Sequence, residues 1–498
     1  MIVSLQKILF FIIVFTLPIT NFIKNISSIG PLNGKLSTYF VIIGLFFWIL
    51  DIIRNKKEIL FPKYFKIWAF LFLIFDILVS IYGLYSVDYR ILEHEKLKIF
   101  IEYTSIDTYI SLQTISVIFF FIKIIKNIVF NFILTFGTSL WIYNLFFYNF
   151  QNGIKILKYA IYGVIFILFL YSIPETLYLL NVDIGKQILS TINPFLYEIG
   201  KNYNWHPPLY WKNQMRLIFP EPSNIGLFMS IILPMFTIYF FKAKTKVKYL
   251  YGTIISFYSY CIFMSQARTA YALLVCFVIF ILILTLLKKE NFYNFIIFCI
   301  LICIGFSGYY TVMNNKLYSN EIIIEESLNN NLLSITNSNA RSNGARFGVI
   351  KTEFKMGMDN IVTGVGKELT PVYFEKYLSE EDASNNEIKL WLRLMREKGI
   401  FKSSYPNLNE YTRTFAETGI LGVFLFVSSF VYTINKLLFF IFKKTYKSLN
   451  EVLIISLGLL LCMISWMGSP ATAFYIPFIY LGFAFIVINK SLNIKNEY

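Results

Sequence analysis

The chain has 498 residues, of which 57% are hydrophobic, 19% aromatic and only 15% charged; soluble domains carry about 45–50% apolar and about 25% charged residues. Mean hydropathy is +0.61, and the formal net charge is +16. This balance excludes a water-soluble enzyme, a disordered protein and a secreted disulfide scaffold.

A membrane span needs roughly 20 mostly apolar residues. Candidate runs begin near Ser4, Leu36, Phe65, Val129, Tyr159, Ser223, Val247, Thr269, Phe292, Tyr411, Val452 and Ala471. The first contains Lys7 and is followed by Pro18 and Asn21 without a small-residue cleavage site, so it reads as an uncleaved span. Thr269 to Leu287 carries no charge. Backbone polar groups in lipid must be satisfied within the segment, so these runs predict helices. The expected fold is an all-α polytopic membrane protein with about twelve spans. Ile106 to Ile125 is a weaker run. Reading it as a further span would put the basic loops on opposite faces, so it is expected as an external or interfacial hairpin.

The positive charge lies in short loops: Arg54, Lys56 and Lys57; Lys242, Lys244, Lys246 and Lys248; Lys288 and Lys289; Lys443, Lys444 and Lys447. Between Tyr310 and Glu410, 12 Lys or Arg face 13 Asp or Glu. This is the positive-inside pattern of a multi-pass protein with both termini cytoplasmic. With no basic patch on a soluble unit, no nucleic-acid partner is expected. The implied organisation is an N-terminal helix bundle over 1–312, a large external loop over 313–410, and C-terminal membrane helices over 411–498. Shorter external segments cover Ser86 to about Lys126 and Asn181 to Pro222. Within the large loop, Ile388 to Arg396 reads as a basic amphipathic helix, lying on the membrane surface or packing inside the loop. Arg346 to Met358 suits a helix with Phe347, Ile350 and Phe354 on one face.

Cys261, Cys276, Cys299, Cys303 and Cys462 all sit in apolar runs and read as packed thiols. His94 and His206 have no metal-ligand spacing. Gly364-Val365-Gly366-Lys367 lacks the spacing and the Ser or Thr of a phosphate-binding loop. No nucleotide, metal or other cofactor is expected. Asp76 lies in the middle of a span, where an acid is expensive and is a functional candidate by default.

Four patterns fall on the predicted external face. They are Arg216 to Glu221-Pro222-Ser223; Ser265-Gln266-Ala267-Arg268-Thr269; Arg346 followed by Gly364-Val365-Gly366; and Asn409 through Arg413 to Glu417-Thr418-Gly419-Ile420-Leu421-Gly422. Single arginines at a boundary usually snorkel to headgroups. Arg413 and Glu417, four apart, suit a helical salt bridge. Several arginines on one face, however, make a site for a phosphate-bearing lipid, because guanidinium binds phosphate oxygens bidentately.

These segments, and the layout of many spans with one long external loop near the C-terminus, resemble the O-antigen polymerase and O-antigen ligase superfamily of bacterial inner membranes. The resemblance implies glycosyl transfer on undecaprenyl diphosphate-linked oligosaccharides in the cytoplasmic membrane, with membrane lipid and a chain-length regulator protein as further partners. Ligases of this superfamily carry a histidine just before the asparagine of the fourth pattern. Here that residue is Leu408, which favours a polymerase over a ligase. On this reading Arg216, Arg268 and Arg346 neutralise diphosphate, and Glu221 is the candidate base. Arg413, Asn409, Glu417, Arg341, Gly364 and Gly366 are candidate substrate-binding positions. A flippase for lipid-linked oligosaccharide is the reading from another class; it would want short external loops and more charges in mid-membrane.

Overall fold

The computed structural model describes residues 2–20, 35–87, 95–196, 214–287, 292–317, 343–400, 403–443 and 448–495. His94, His206, Arg341, Lys288 and Lys289 lie outside them. Every regular element among these residues is helical. In chain order they are α1 (Ile2–Thr16), α2 (Leu36–Asn55), α3 (Lys63–Tyr85), α4 (Glu95–Thr104), α5 (Leu112–Phe132), α6 (Thr138–Phe146), α7 (Phe150–Leu179), α8 (Asp183–Leu196), α9 (Ser223–Lys242), α10 (Thr245–Ser265), α11 (Arg268–Leu287) and α12 (Phe292–Leu317). After these come α13 (Asn343–Asp359), α14 (Thr370–Tyr377), α15 (Glu380–Ala383), α16 (Asn386–Lys398), α17 (Glu410–Lys443), α18 (Leu449–Ser465) and α19 (Ile476–Lys495).

Among the described residues, eight helices are long and apolar enough to cross a membrane, and α1, α18 and α19 are shorter apolar helices. Together with α10 they occupy the positions where the sequence placed spans. The protein is an all-helical, polytopic membrane protein. Its bundle is held by tight side-chain packing and by internal polar pairs. Trp141 Nε1 donates to Gln6 Oε1 at 2.9 Å. Ser139 Oγ donates to the Phe478 carbonyl at 2.7 Å. Tyr258 Oη donates to the Ile225 carbonyl at 2.6 Å. In an apolar medium such bonds replace the hydrophobic drive as helix-to-helix glue.

The expected hairpin over 106–125 is not formed. Ser111 caps a helix at Leu112, accepting from the Thr114 N–H, and that helix runs unbroken to Phe146. The join between α5 and α6 is a π-helical turn, Ile133–Gly137. One long helix absorbs both the weak run and the span expected from Val129, so the basic loops keep their register without an extra crossing. Lys123 is carried on this helix rather than in a loop.

Helices α13 to α16 form a cap with its own small core of Ala345, Val349, Met356, Phe374, Ile388, Leu392 and Met395. The apolar face of α16 is therefore turned inward, with Arg393 and Arg396 outside. Packing inside the loop, not the membrane surface, takes up that face. In α13 the buried side is Ala345, Val349, Thr352, Glu353 and Met356, and Phe354 is exposed. The cap core takes up the small and mid-sized side of α13, Ala345, Val349 and Met356, rather than the face marked by Phe347, Ile350 and Phe354. Cys261 and Cys462 are buried, whereas Cys303 faces outward from α12.

Candidate functional site

The cap joins the bundle at a break in α17. Gly419 has φ 63° and ψ −168°, so the helix stops and restarts there. The loop after α13 fills the gap. Val365 N–H donates to the Ala416 carbonyl at 2.8 Å, Gly366 N–H to the Glu417 carbonyl at 2.9 Å, and Ile420 N–H to the Ile361 carbonyl at 2.7 Å. These bonds satisfy carbonyls and amides that a broken helix would otherwise orphan. Gly364 has φ +65°, and a Cβ there would sit 2.4 Å from the Glu417 carbonyl carbon. Only glycine allows that approach. The backbone of Gly364 and Gly366 thus docks the cap onto α17.

Beside this junction is a cavity of about 360 Å³, lined by residues of α3, α5, the π turn, the loop after Gly366, α17 and α19. That is within the usual size of ligand sites. Its apolar part is Phe72, Phe132, Phe136, Phe426 and Phe478. Its polar part includes Lys123, Asn127 and Asn131 from α5, Lys367 and Glu368 from the loop, Glu410, Arg413 and Glu417 from α17, and Asp76 from α3.

The centre of the charged group is Glu417. Lys367 Nζ lies 2.9 Å from its Oε2, and Arg413 Nε lies 2.9 Å from its Oε1. The Arg413 guanidinium also reaches Glu353 Oε1 at 3.4 Å and lies over the Tyr405 ring at 4.8 Å. Thr412 Oγ1 donates to Glu353 Oε2 at 2.7 Å. Side-chain exposure falls from 24% at Lys367 and 14% at Arg413 to 4% at Glu417 and 0% at Glu353. Lys367 and Arg413 are thus more exposed than the two carboxylates they pair with, Glu417 and Glu353, while Glu368 and Glu410 stand beside them in the cavity wall.

Burial alone would lower the pKa of Lys367. The carboxylates of Glu417, Asp76 and Glu410 outweigh burial and hold it above the usual lysine value. Burial pushes Glu353 up to about 7, against the pull of Arg413. Burial also raises Glu368, whose Oε2 accepts from Asn127 Nδ2 at 2.8 Å.

Of the residues singled out in the sequence, Asp76, Arg413 and Glu417 line this cavity; Arg216, Arg268, Arg346 and Glu221 are not among its lining residues. Asn409 caps α17: its Oδ1 accepts from Tyr411 N–H at 2.9 Å and Thr412 N–H at 3.1 Å, and its Nδ2 donates to the Met467 carbonyl at 3.1 Å. Glu221 is exposed and accepts from Ser223 Oγ at 3.3 Å. The three arginines lie on segments linked through the end of α10 and the start of α13. Met215 N–H donates to the Met264 carbonyl at 3.0 Å, which fixes the Arg216 segment against the end of α10. Below it, Glu175 accepts the Leu217 N–H at 2.8 Å. Arg268 Nη1 donates to Asn343 Oδ1 at the start of α13, and Arg346 follows one turn along the same helix. Because Glu353 is on α13 as well, about 15 Å of helical rise links the Arg268 contact to the Arg413 contact.

The groups missed in the sequence are Lys123, Asn127, Asn131, Lys367, Glu368, Glu353 and Glu410. Lys367 directly follows the quoted glycines, and Lys123 interrupts an apolar run. Glu410 lies within the fourth pattern and Glu353 within the helix expected from Arg346 to Met358, but neither was picked out; Asn127, Asn131 and Glu368 carry no local signal.

Residues 252–427 match a family model described as O-antigen ligase, consistent with the O-antigen polymerase and ligase superfamily. The matched stretch spans α10 to the restarted part of α17. It includes Arg268, Arg346, Lys367, Glu368, Arg413 and Glu417, but not Asp76, Lys123, Asn127 or Arg216. A search of curated proteins and a search of solved structures each gave no match.

Proposed function

We propose that this protein is a membrane glycosyltransferase that polymerises undecaprenyl diphosphate-linked oligosaccharide repeat units into a surface polysaccharide. The observation that carries this reading is the cavity in which the partly buried cations Lys367 and Arg413 meet at Glu417, beside an aromatic wall of Phe72, Phe132, Phe136, Phe426 and Phe478. Cations there would stabilise the charge that develops as a diphosphate leaves, and the aromatic wall suits the first isoprene units of a lipid carrier. Arg216, Arg268 and Arg346 are assigned to the diphosphate of the second lipid-linked substrate. A polymerase needs two such substrates at once, which two neighbouring cation groups would serve.

The polarity of the bundle supports an external site. Lys443 ends α17, whose other end carries the cavity residues Glu410 and Arg413, and Arg54 and Lys57 lie at the far end of α2 from Lys35. Lys35, before α2, donates to the carbonyl of the cavity residue Thr472. Basic ends favour the cytoplasmic side, which would put the cavity on the outer face. The ligase reading has the family description in its favour. Against it stands Leu408, half-buried against the cap core where a ligase carries histidine.

The test is incubation of the purified protein with the lipid diphosphate-linked repeat unit of its source strain. A ladder of repeats on lipid diphosphate, absent with Arg413→Ala, is expected. Transfer only when a different acceptor is supplied would make it a ligase. Neither product from a folded protein would turn the reading to transport.

A further inference from the structure

We propose that Glu368 is the residue that takes the proton from the acceptor hydroxyl; this rests on the glycosyl-transfer reading above. Four carboxylates line the cavity, and three are unsuited to this work. Glu417 is clamped between Lys367 and Arg413, so its lone pairs are already engaged. Glu410 Oε2 accepts from Asn407 Nδ2 at 2.9 Å and from the Ala471 N–H at 3.0 Å, and so ties α17 to the segment before α19. Asp76 lies about 10 Å of helical rise below Gly83, the residue at which α3 meets the Gly366 loop, and so stands towards the aromatic wall.

Glu368 differs from all three. One oxygen accepts from Asn127 at 2.8 Å, which orients the carboxylate without neutralising it. Its backbone has φ 63°, a left-handed conformation that a glutamate adopts only when its surroundings insist. The effect is visible in the lining: Lys367 and Glu368 are neighbours in sequence, yet both face the cavity. In an extended chain they would alternate sides. The strained turn therefore sets a carboxylate beside the cation that receives the diphosphate.

The step balances without a co-reactant. The acceptor oxygen forms a bond to the anomeric carbon of the donor as the bond from that carbon to the diphosphate oxygen breaks. The bonding pair leaves with the lipid diphosphate, facing Lys367 and Arg413. The hydroxyl proton passes to Glu368 and then to water. The groups that face Glu368 are Lys367 on its own loop, Lys123 and Asn127 on α5, Arg413, Glu410 and Glu417 on α17, and Asp76 on α3.

The experiment measures initial rates of transfer and their pH profile in full-length purified protein. The probe is the lipid-linked repeat unit extracted from the source strain lacking this protein. Glu368→Gln should lower kcat about 100-fold, leave KM for the lipid-linked unit near its original value, and abolish the fall in rate on the acidic side. Glu368→Gly should leave Tm unchanged or higher, because glycine adopts this φ freely, yet lose transfer to the same extent. Full rate with an unchanged acidic limb in either variant overturns the role of Glu368 while the polymerase reading stands. If the unsubstituted protein makes no ladder from the same probe, the reading beneath the proposal fails and the proposal falls with it.

Discussion

Two groups of cations lie at the same end of this bundle, and they are built differently. In the cavity, Lys367 and Arg413 come from separate elements and share one carboxylate, Glu417. In the neighbouring group each arginine is engaged by its own surroundings. Arg268 bonds Asn343, the Arg216 segment is anchored on Glu175, and Arg346 faces Glu387. A shared anion brings two cations within reach of one ligand, and against Glu417 alone leaves one positive charge over, which Glu353 offsets to the extent that it is ionised. Separately engaged arginines hold elements together, and can bind an anion only with the charge their partners leave over. α13 spans both groups, with Asn343 at one and Glu353 at the other, so binding in one can be felt in the other through a single rigid element.

The comparison breaks most directly at Arg413. Arg413→Ala would strip Glu353 and Glu417 of a buried partner, which costs about 3–5 kcal/mol, so loss of the polymer ladder must be read with a check on folding. Arg413→Lys keeps the charge and the fold but cannot reach two carboxylates as a planar fork does. It is expected to lower transfer about 10–100-fold, measured as initial rate. Arg346→Lys is expected to fall less, about 3–10-fold, if that residue meets diphosphate through its fork. Full polymer from Arg346→Lys would mean that bidentate binding there is wrong. Gly364→Ala tests the scaffold. A positive φ and a Cβ pressed on the backbone at Glu417 should together cost about 2–4 kcal/mol, seen as a lower Tm in detergent. Unchanged Tm would show that the cap is not seated on the break in α17.

Much of this architecture was legible from hydropathy, because lipid forces every span into a helix and the apolar runs are long. The site was only partly legible. Arg413 and Glu417 stood in a quoted segment, four apart, and Asp76 was conspicuous as an acid within a span. Lys123 and Asn127 were not readable. Their run is weakly apolar, and only the continuous helix from Leu112 to Phe146, with its π turn, brings them to the cavity wall. Glu353 and Glu368 also escaped notice, since a carboxylate in a polar loop looks solvated until the cap folds over it. Glu368 depends on a left-handed backbone that no local residue pattern announces. Arginine spacing showed where cations are dense, whereas a shared counter-ion arises only from tertiary contact.

The smallest expected effect sharpens the comparison most, because it asks how much positive charge Arg413 retains. The carboxyl of Glu353 is pushed up to about 7 in the folded protein, from an ordinary 4.5. Between these values the folded protein holds a proton that the unfolded chain has released. Stability contributed by this residue is therefore full below about pH 4.5, declines as pH rises towards 7, and levels off above. Near neutrality Glu353 is then about half ionised, and Arg413 answers mainly to Glu417, which Lys367 also neutralises. Glu353→Gln should remove the slope, so that its Tm rises relative to the unsubstituted protein between pH 5 and pH 8 by a few degrees at most. The same slope in both proteins would mean that Glu353 is ionised throughout. Arg413 would then lie between two full carboxylates with no excess charge for a diphosphate, and the cavity would lose its advantage over the separately engaged arginines.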